Sequence, residues 1–205
     1  MFPGAVAALG GYRRELEGGG RWIAILAIPS LIGAVIGSLL AISFPDYFRA
    51  LVPWLILSAA LLFTLQPQIA RWTGIGRPHE PVSTFGMLAT IGFQFLVALY
   101  GGYFGAGIGI LMLSALAMMG MSDIHRMNAV KSVLGSLING VAAFMFIVNG
   151  HVDWSLALPM AVSAIIGGYA GAHWARKLDR QLVRAIVIAI GFGLSAYYFY
   201  QQFAR

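Results

Sequence analysis

Long apolar stretches, separated by short loops that hold nearly all the charge, constrain this chain more than any other feature of its sequence. Residues 22–43, 84–100, 127–149, 154–175 and 182–203 each come close to or exceed the roughly 20 apolar residues that a helix needs to cross a bilayer. Residues 48–65 nearly reach that length, and 1–11 and 110–121 are shorter apolar runs. None shows the period-two alternation of a barrel strand. Backbone inside lipid must also satisfy its own hydrogen bonds, which favours helices. The expected fold is all-α: a polytopic transmembrane helical bundle with broken and short helices. Composition agrees, because 60% of the 205 residues are hydrophobic and 10% are charged. A soluble surface usually draws on about 25% charged residues.

The formal net charge of +6 raises the question of nucleic acid. The basic residues occupy loops and do not line one helix face among base-stacking aromatics, so nucleic acid is excluded as a partner. Their placement instead reads as membrane topology. If residues 110–121 cross the membrane, Arg13, Arg14, Arg21, Arg71, Arg77, Arg126, Lys131, Arg176, Lys177, Arg180 and Arg184 share one side. Only Arg49 and Arg205 face the other. Without that crossing the bias disappears. The expected arrangement is therefore multi-pass, with the basic loops in the cytoplasm. No cleavable signal is evident, and the absence of cysteine rules out disulfides and thiolate chemistry.

An internal repeat supports the same topology. Pro29, Gly33, Gly37 and Ala41 match Pro159, Ser163, Gly167 and Gly171 in order and spacing, and Trp22 precedes the first set as Trp154 precedes the second. Pro3 to Ala8 line up loosely with Asn139 to Ala143. Two copies result: residues 1–80, reading as an incomplete first repeat that lacks its beginning, and 81–205, a complete second repeat with a glycine-rich break. The crossing of 110–121 makes the copies inverted, an arrangement common in secondary transporters.

Two constellations are candidates for function. Gly101, Gly102, Gly105, Gly107 and Gly109 interrupt an apolar stretch. Irregular backbone at membrane depth is tolerated only inside protein or beside a water-filled cavity. Freed N–H groups at the start of the next short helix would suit an anion. The competing reading is close helix packing of the small-xxx-small kind. The second constellation is a stripe on the helix beginning near Arg126. At about 100° per residue, Asn128, Lys131, Ser132, Gly135, Ser136 and Asn139 share a face. Lys131 either snorkels to the cytoplasmic surface or offers its charge to an oxyanion with Asn128 beside it. Asn139 is deeper, and either joins a substrate site or bonds a neighbouring helix. Gln94 reads as interhelical glue, Pro29 and Pro159 as kinks, and the tryptophans as interfacial anchors.

Other chemistry is missing. The acidic residues fall in loops or at helix ends, which leaves no evident proton relay. No phosphate-binding loop and no zinc-protease helix motif occurs. The chain reads as a non-enzyme with no cofactor, metal or catalytic residue.

The run Gly101 to Gly109, the Gly120-Met121-Ser122 break and Arg126-Met127-Asn128-Ala129-Val130-Lys131 resemble the TauE/SafE sulfite exporter family. So do Asn139, Val152-Asp153-Trp154, Pro159 and Ile165 to Gly171. The resemblance covers nearly the whole chain. It implies an inner-membrane permease of two homologous halves that moves small anions such as sulfite or sulfoacetate. The first-half glycine motif is missing here. The expected partners are the bilayer and a small anionic substrate, with assembly as a homo-oligomer left open. Gly101, Gly102, Gly105, Gly107, Gly109, Asn128, Lys131 and Asn139 are the expected substrate-binding residues.

Overall fold

The structure is a computed structural model that describes residues 20–72, 84–119, 121, 123–175 and 180–203. It contains helices α1 (Gly20–Ser43), α2 (Pro45–Trp72), α3 (Thr84–Tyr103), α4 (Ile108–Met118), α5 (Ile124–Val148), α6 (Trp154–Ala175) and α7 (Arg180–Phe203). No strand occurs among the described residues. Helices α1, α2, α3 and α5 are each long and apolar enough to cross a membrane. The fold is therefore the all-α bundle expected of a multi-pass membrane protein. Its outer surface is rich in exposed Leu, Ile, Phe and Trp, as lipid as a solvent allows.

Three boundaries differ from the sequence reading. Helix α2 does not end near Leu65. It runs on to Trp72, through both Pro53 and Pro67. Falling hydropathy marks where the bilayer ends, and a helix can continue beyond that point. Helix α3 passes Tyr100 and includes Gly101 and Gly102. Helix α4 starts at Ile108, so the break narrows to 104–107. The expectations from sequence for residues 1–19, the loop 73–83, Gly120, Ser122, Arg176, Lys177 and Arg205 lie outside the described residues.

Small residues set the central contact. Ser30 meets Gln94, Gly33 meets Ala98 and Ser38 meets Gly102, so α1 and α3 run parallel. A Cβ on Gly33 would sit 2.6 Å from the Phe95 carbonyl oxygen, and one on Gly102 would land on the Ala34 backbone. Backbones this close replace the hydrophobic drive that is missing between helices in lipid. Behind them, Leu26, Val97, Met112, Leu116, Met127, Leu134 and Ile138 form one buried cluster joining α1, α3, α4 and α5. Helix α7 lies antiparallel on α2, with the Ser195 hydroxyl donating to the Pro53 carbonyl (3.2 Å) and Gly191 against Ala60.

Gln94 is the interhelical glue that the sequence suggested. Its amide nitrogen donates to Ser30 Oγ at 3.0 Å, both residues being fully buried. Its Oε1 has no partner. Removing only Ser30 would strand the amide donors as well, whereas removing both polar groups strands nothing. Ser30→Ala is thus expected to cost about 1–2 kcal/mol, and Ser30→Ala with Gln94→Met to recover most of it. Thermal unfolding of the two variants in detergent checks this, and equal losses would contradict it.

Asp153 caps α6. Its Oδ1 accepts from the Ser155 hydroxyl (2.5 Å) and the Ser155 N–H (2.9 Å). The hydroxyl bond, followed by the backbone N–H bond, holds the Asp153 carboxyl below the ordinary carboxylate range. A depressed folded value means that the cap stabilises above the unfolded pKa, about 3.9. That contribution fades as pH falls through the lower folded value. Hydrogen-exchange protection of Ser155 and Leu156 should therefore drop below about pH 4 in the parent chain. In Asp153→Asn, which caps without titrating, it should not.

Candidate functional site

The break between α3 and α4 is built by glycine. Gly105 and Gly107 have φ of 83° and 79°, a left-handed backbone that L side chains rarely adopt. The Gly105 N–H still reaches back to the Tyr100 carbonyl (3.2 Å), closing α3, while Gly107 stands at the N-cap of α4 with no side-chain cap. Position along the neighbours fixes the depth. Gly107 rests on Leu62 and Ala59, halfway along α2, and Gly105 lies beside Asn139, just past the middle of α5. The irregular backbone is at mid-bundle.

Helix α4 then runs back along α5. Asn139 sits by Gly105 and Lys131 by Gly109: a Cβ on Gly105 would be 3.8 Å from Asn139 Oδ1, and one on Gly109 would be 3.5 Å from Lys131 Cδ. Between those points, a Cβ on Gly135 would meet nothing within 4 Å. Asn128, Lys131, Gly135, Asn139, Gly105, Gly107 and Gly109 are all partly accessible. The polar stripe of α5 therefore faces the break, with open space beside Gly135.

Hydrogen bonding decides what this stripe can offer a ligand. Ser132 and Ser136 give their protons to carbonyls one turn back, at 2.8 and 2.6 Å. Asn139 does the same with one amide hydrogen, to the Gly135 carbonyl (2.8 Å), so it bonds its own helix and not a neighbouring one. Lys131 donates to Asn128 Oδ1 at 2.9 Å. An ammonium has three donors and an amide two. Lys131 thus retains two N–H groups and Asn139 one. Among the described residues no carboxylate pairs with Lys131. The arrangement presents positive charge and donors at a half-buried place, which suits an anion of few atoms.

Not every expected residue joins it. Gly101 and Gly102 are buried in helix contacts: a Cβ on Gly101 would stand 2.9 Å from Ile138 Cγ2, and one on Gly102 would land on the Ala34 backbone. Their role is close approach. On the α2 side the sequence reading missed a pair: Ser58 Oγ and the Tyr100 hydroxyl are 3.5 Å apart, at the level of Ala59 and just before the break. Neither stands out in sequence, since Ser and Tyr in apolar runs are common. Only the α2–α3 contact gives them a shared place.

Residues 1–198 match the sulfite exporter TauE/SafE family. The chain belongs to the TauE/SafE family. Among TauE/SafE-like relatives, a probable membrane transporter protein of Sinorhizobium sp is 28% identical over 173 residues, covering 83% of this chain and 63% of that protein. One from Haemophilus influenzae is 26% identical over 175 residues, 83% and 65% of the two chains. One from Bacillus subtilis is 28% identical over 173 residues, 79% and 63%. This TauE/SafE chain thus spans a little under two thirds of the length of the curated relatives it matches. No solved structure matches it.

Proposed function

We propose that this TauE/SafE chain carries the anion-handling core of a secondary transporter for a small oxyanion of the sulfite or organosulfonate type, working as an exporter. The observation that carries this reading is the juxtaposition of Lys131 and Asn139 with the glycine-loosened backbone at mid-bundle. A cation held there with no acidic partner among the described residues lowers the cost of bringing an anion out of water. The irregular segment gives the site a place to open and close. The substrate would contact Lys131, Asn139, Asn128 and the backbone of Gly105 to Gly109. The Ser58–Tyr100 pair would close the α2 side. Orientation follows the charge: the ends holding Arg21, Arg71 and Arg126 face the cytoplasm of an inner membrane, and Arg49 faces the opposite side.

The test is flux. Purified chain in liposomes should move labelled sulfite at a saturable rate above that of empty liposomes, with sulfoacetate competing. A second reading has one observation in its favour, the shorter span relative to the relatives. In it, the chain is a membrane subunit that transports nothing alone. Absence of flux from a folded, monodisperse preparation would favour that reading.

A further inference from the structure

The end of α7 lies beside the beginning of α2. They leave a cleft of about 510 Å³ lined by Arg49, Val52, Pro53, Tyr198, Gln201 and Gln202 among others. The depth of the cleft in the bilayer follows from length. Helix α2 has 28 residues, about 42 Å at about 1.5 Å each, against a hydrocarbon core of about 30 Å. Its N-terminal end therefore stands in the headgroup layer, and Arg49, the fifth residue, opens the second turn. Arg49 pairs only with Asp46 among the described residues, at 3.7 Å with the side chains 80% and 91% exposed. Such a pair contributes little and leaves most of the five guanidinium donors over.

The polarity of the cleft is layered. Beside Arg49, the Gln201 amide nitrogen donates to the Tyr197 hydroxyl (2.8 Å) and that of Gln202 to the Ala50 carbonyl (3.4 Å). Among the described residues, both amide oxygens are left as acceptors. Deeper, Val52 and Pro53 are apolar. A ligand that fits has an anionic phosphate for Arg49, hydroxyls for the two glutamine oxygens, and a hydrocarbon tail for Val52 and Pro53. We propose that this cleft is a binding site for an anionic phospholipid with a hydroxyl-bearing headgroup, of the phosphatidylglycerol kind. A phosphatidylcholine headgroup offers the phosphate but no hydroxyl donor and no net charge.

The full chain, delipidated and returned to nanodiscs, tests this by native mass spectrometry. Phosphatidylglycerol should be retained over phosphatidylcholine by about fivefold, the size expected of one arginine near a membrane surface. Arg49→Gln should bring the preference close to even, and Gln201→Leu with Gln202→Leu should reduce it. Arg71→Gln, at the far end of the same helix, should leave it in place. Arg49 is exposed, so its variant should elute from size exclusion like the parent. Equal retention of the two lipids, or an unchanged preference in Arg49→Gln, overturns the proposal. Stabilisation by millimolar inorganic phosphate in lipid-free detergent, matching that by phosphatidylglycerol, would identify a free anion as the ligand and overturn it as well.

Discussion

Gly37→Ala is expected to destabilise the protein by about 3 kcal/mol or more, leaving little folded chain in the membrane. A Cβ at this position would fall on the Leu99 carbonyl oxygen and stand 2.9 Å from the Tyr103 nitrogen. Extra methyl groups in packed cores usually cost about 1–3 kcal/mol, because a side chain can change rotamer to make room. Here the obstacle is helix backbone, which yields only if α1 and α3 separate. Separation would also break the Ser38 to Gly102 hydrogen bond (3.2 Å) and open the cluster around Ala34 and Ala98. Gly92 is the internal control. It lies in α3, its Cβ would meet nothing within 4 Å, and Gly92→Ala should be neutral or stabilise by up to about 1 kcal/mol. Thermal unfolding and size exclusion in detergent compare the two. If Gly37→Ala behaves like Gly92→Ala, the close α1–α3 contact is wrong.

Lys131→Ala should slow sulfite flux at least about tenfold, equivalent to about 1.4 kcal/mol of lost anion stabilisation. It should leave the amount of folded protein unchanged. The side chain is half-buried and held by Asn128 at 2.9 Å, so its removal empties a partly solvated place and strands no buried charge. Lys131→Arg should retain part of the flux, since charge is kept while the compact ammonium is lost. Asn139→Ala should lose less than Lys131→Ala, because one of its hydrogens already serves the Gly135 carbonyl. Snorkelling predicts a different result. A lysine that only reaches for the surface could be replaced by alanine at little cost to flux, and unchanged rates would return Lys131 to that role.

The existence of the helices was legible because a bilayer demands apolar length, and length can be read directly. Their ends were less legible. Gln66, Gln68 and Arg71 look like a connection, yet they continue α2, because polarity marks the lipid boundary and says nothing about backbone continuity. The glycine run was legible as special but not as two different devices. Gly101 and Gly102 admit neighbouring helices, whereas Gly105 and Gly107 turn the chain with positive φ. Adjacent glycines carry no sequence mark that separates close approach from reversal, since the difference lies in what packs opposite. The α5 stripe was legible through its period. That it meets Gly105 and Gly109 was not, because this needs the direction of α4. Ser58 and Tyr100 were invisible for a similar reason: they lie 42 residues apart on different helices. Gln94 was readable because a buried amide in lipid must find a partner.

The chain has no cysteine, so a single one can report on the central claim, that Lys131, Asn139 and the glycine break border a hollow reached by water midway through the bundle. Gly135 is the position to use, since its Cβ enters open space between those two side chains. Gly135→Cys in native membranes should react with a charged, membrane-impermeant thiol reagent, and sulfoacetate should slow the reaction. Leu96→Cys, on an exposed apolar position of α3, should stay unlabelled in lipid. Failure of Gly135→Cys to react in folded protein, or labelling no faster than at residue 96, would contradict the account.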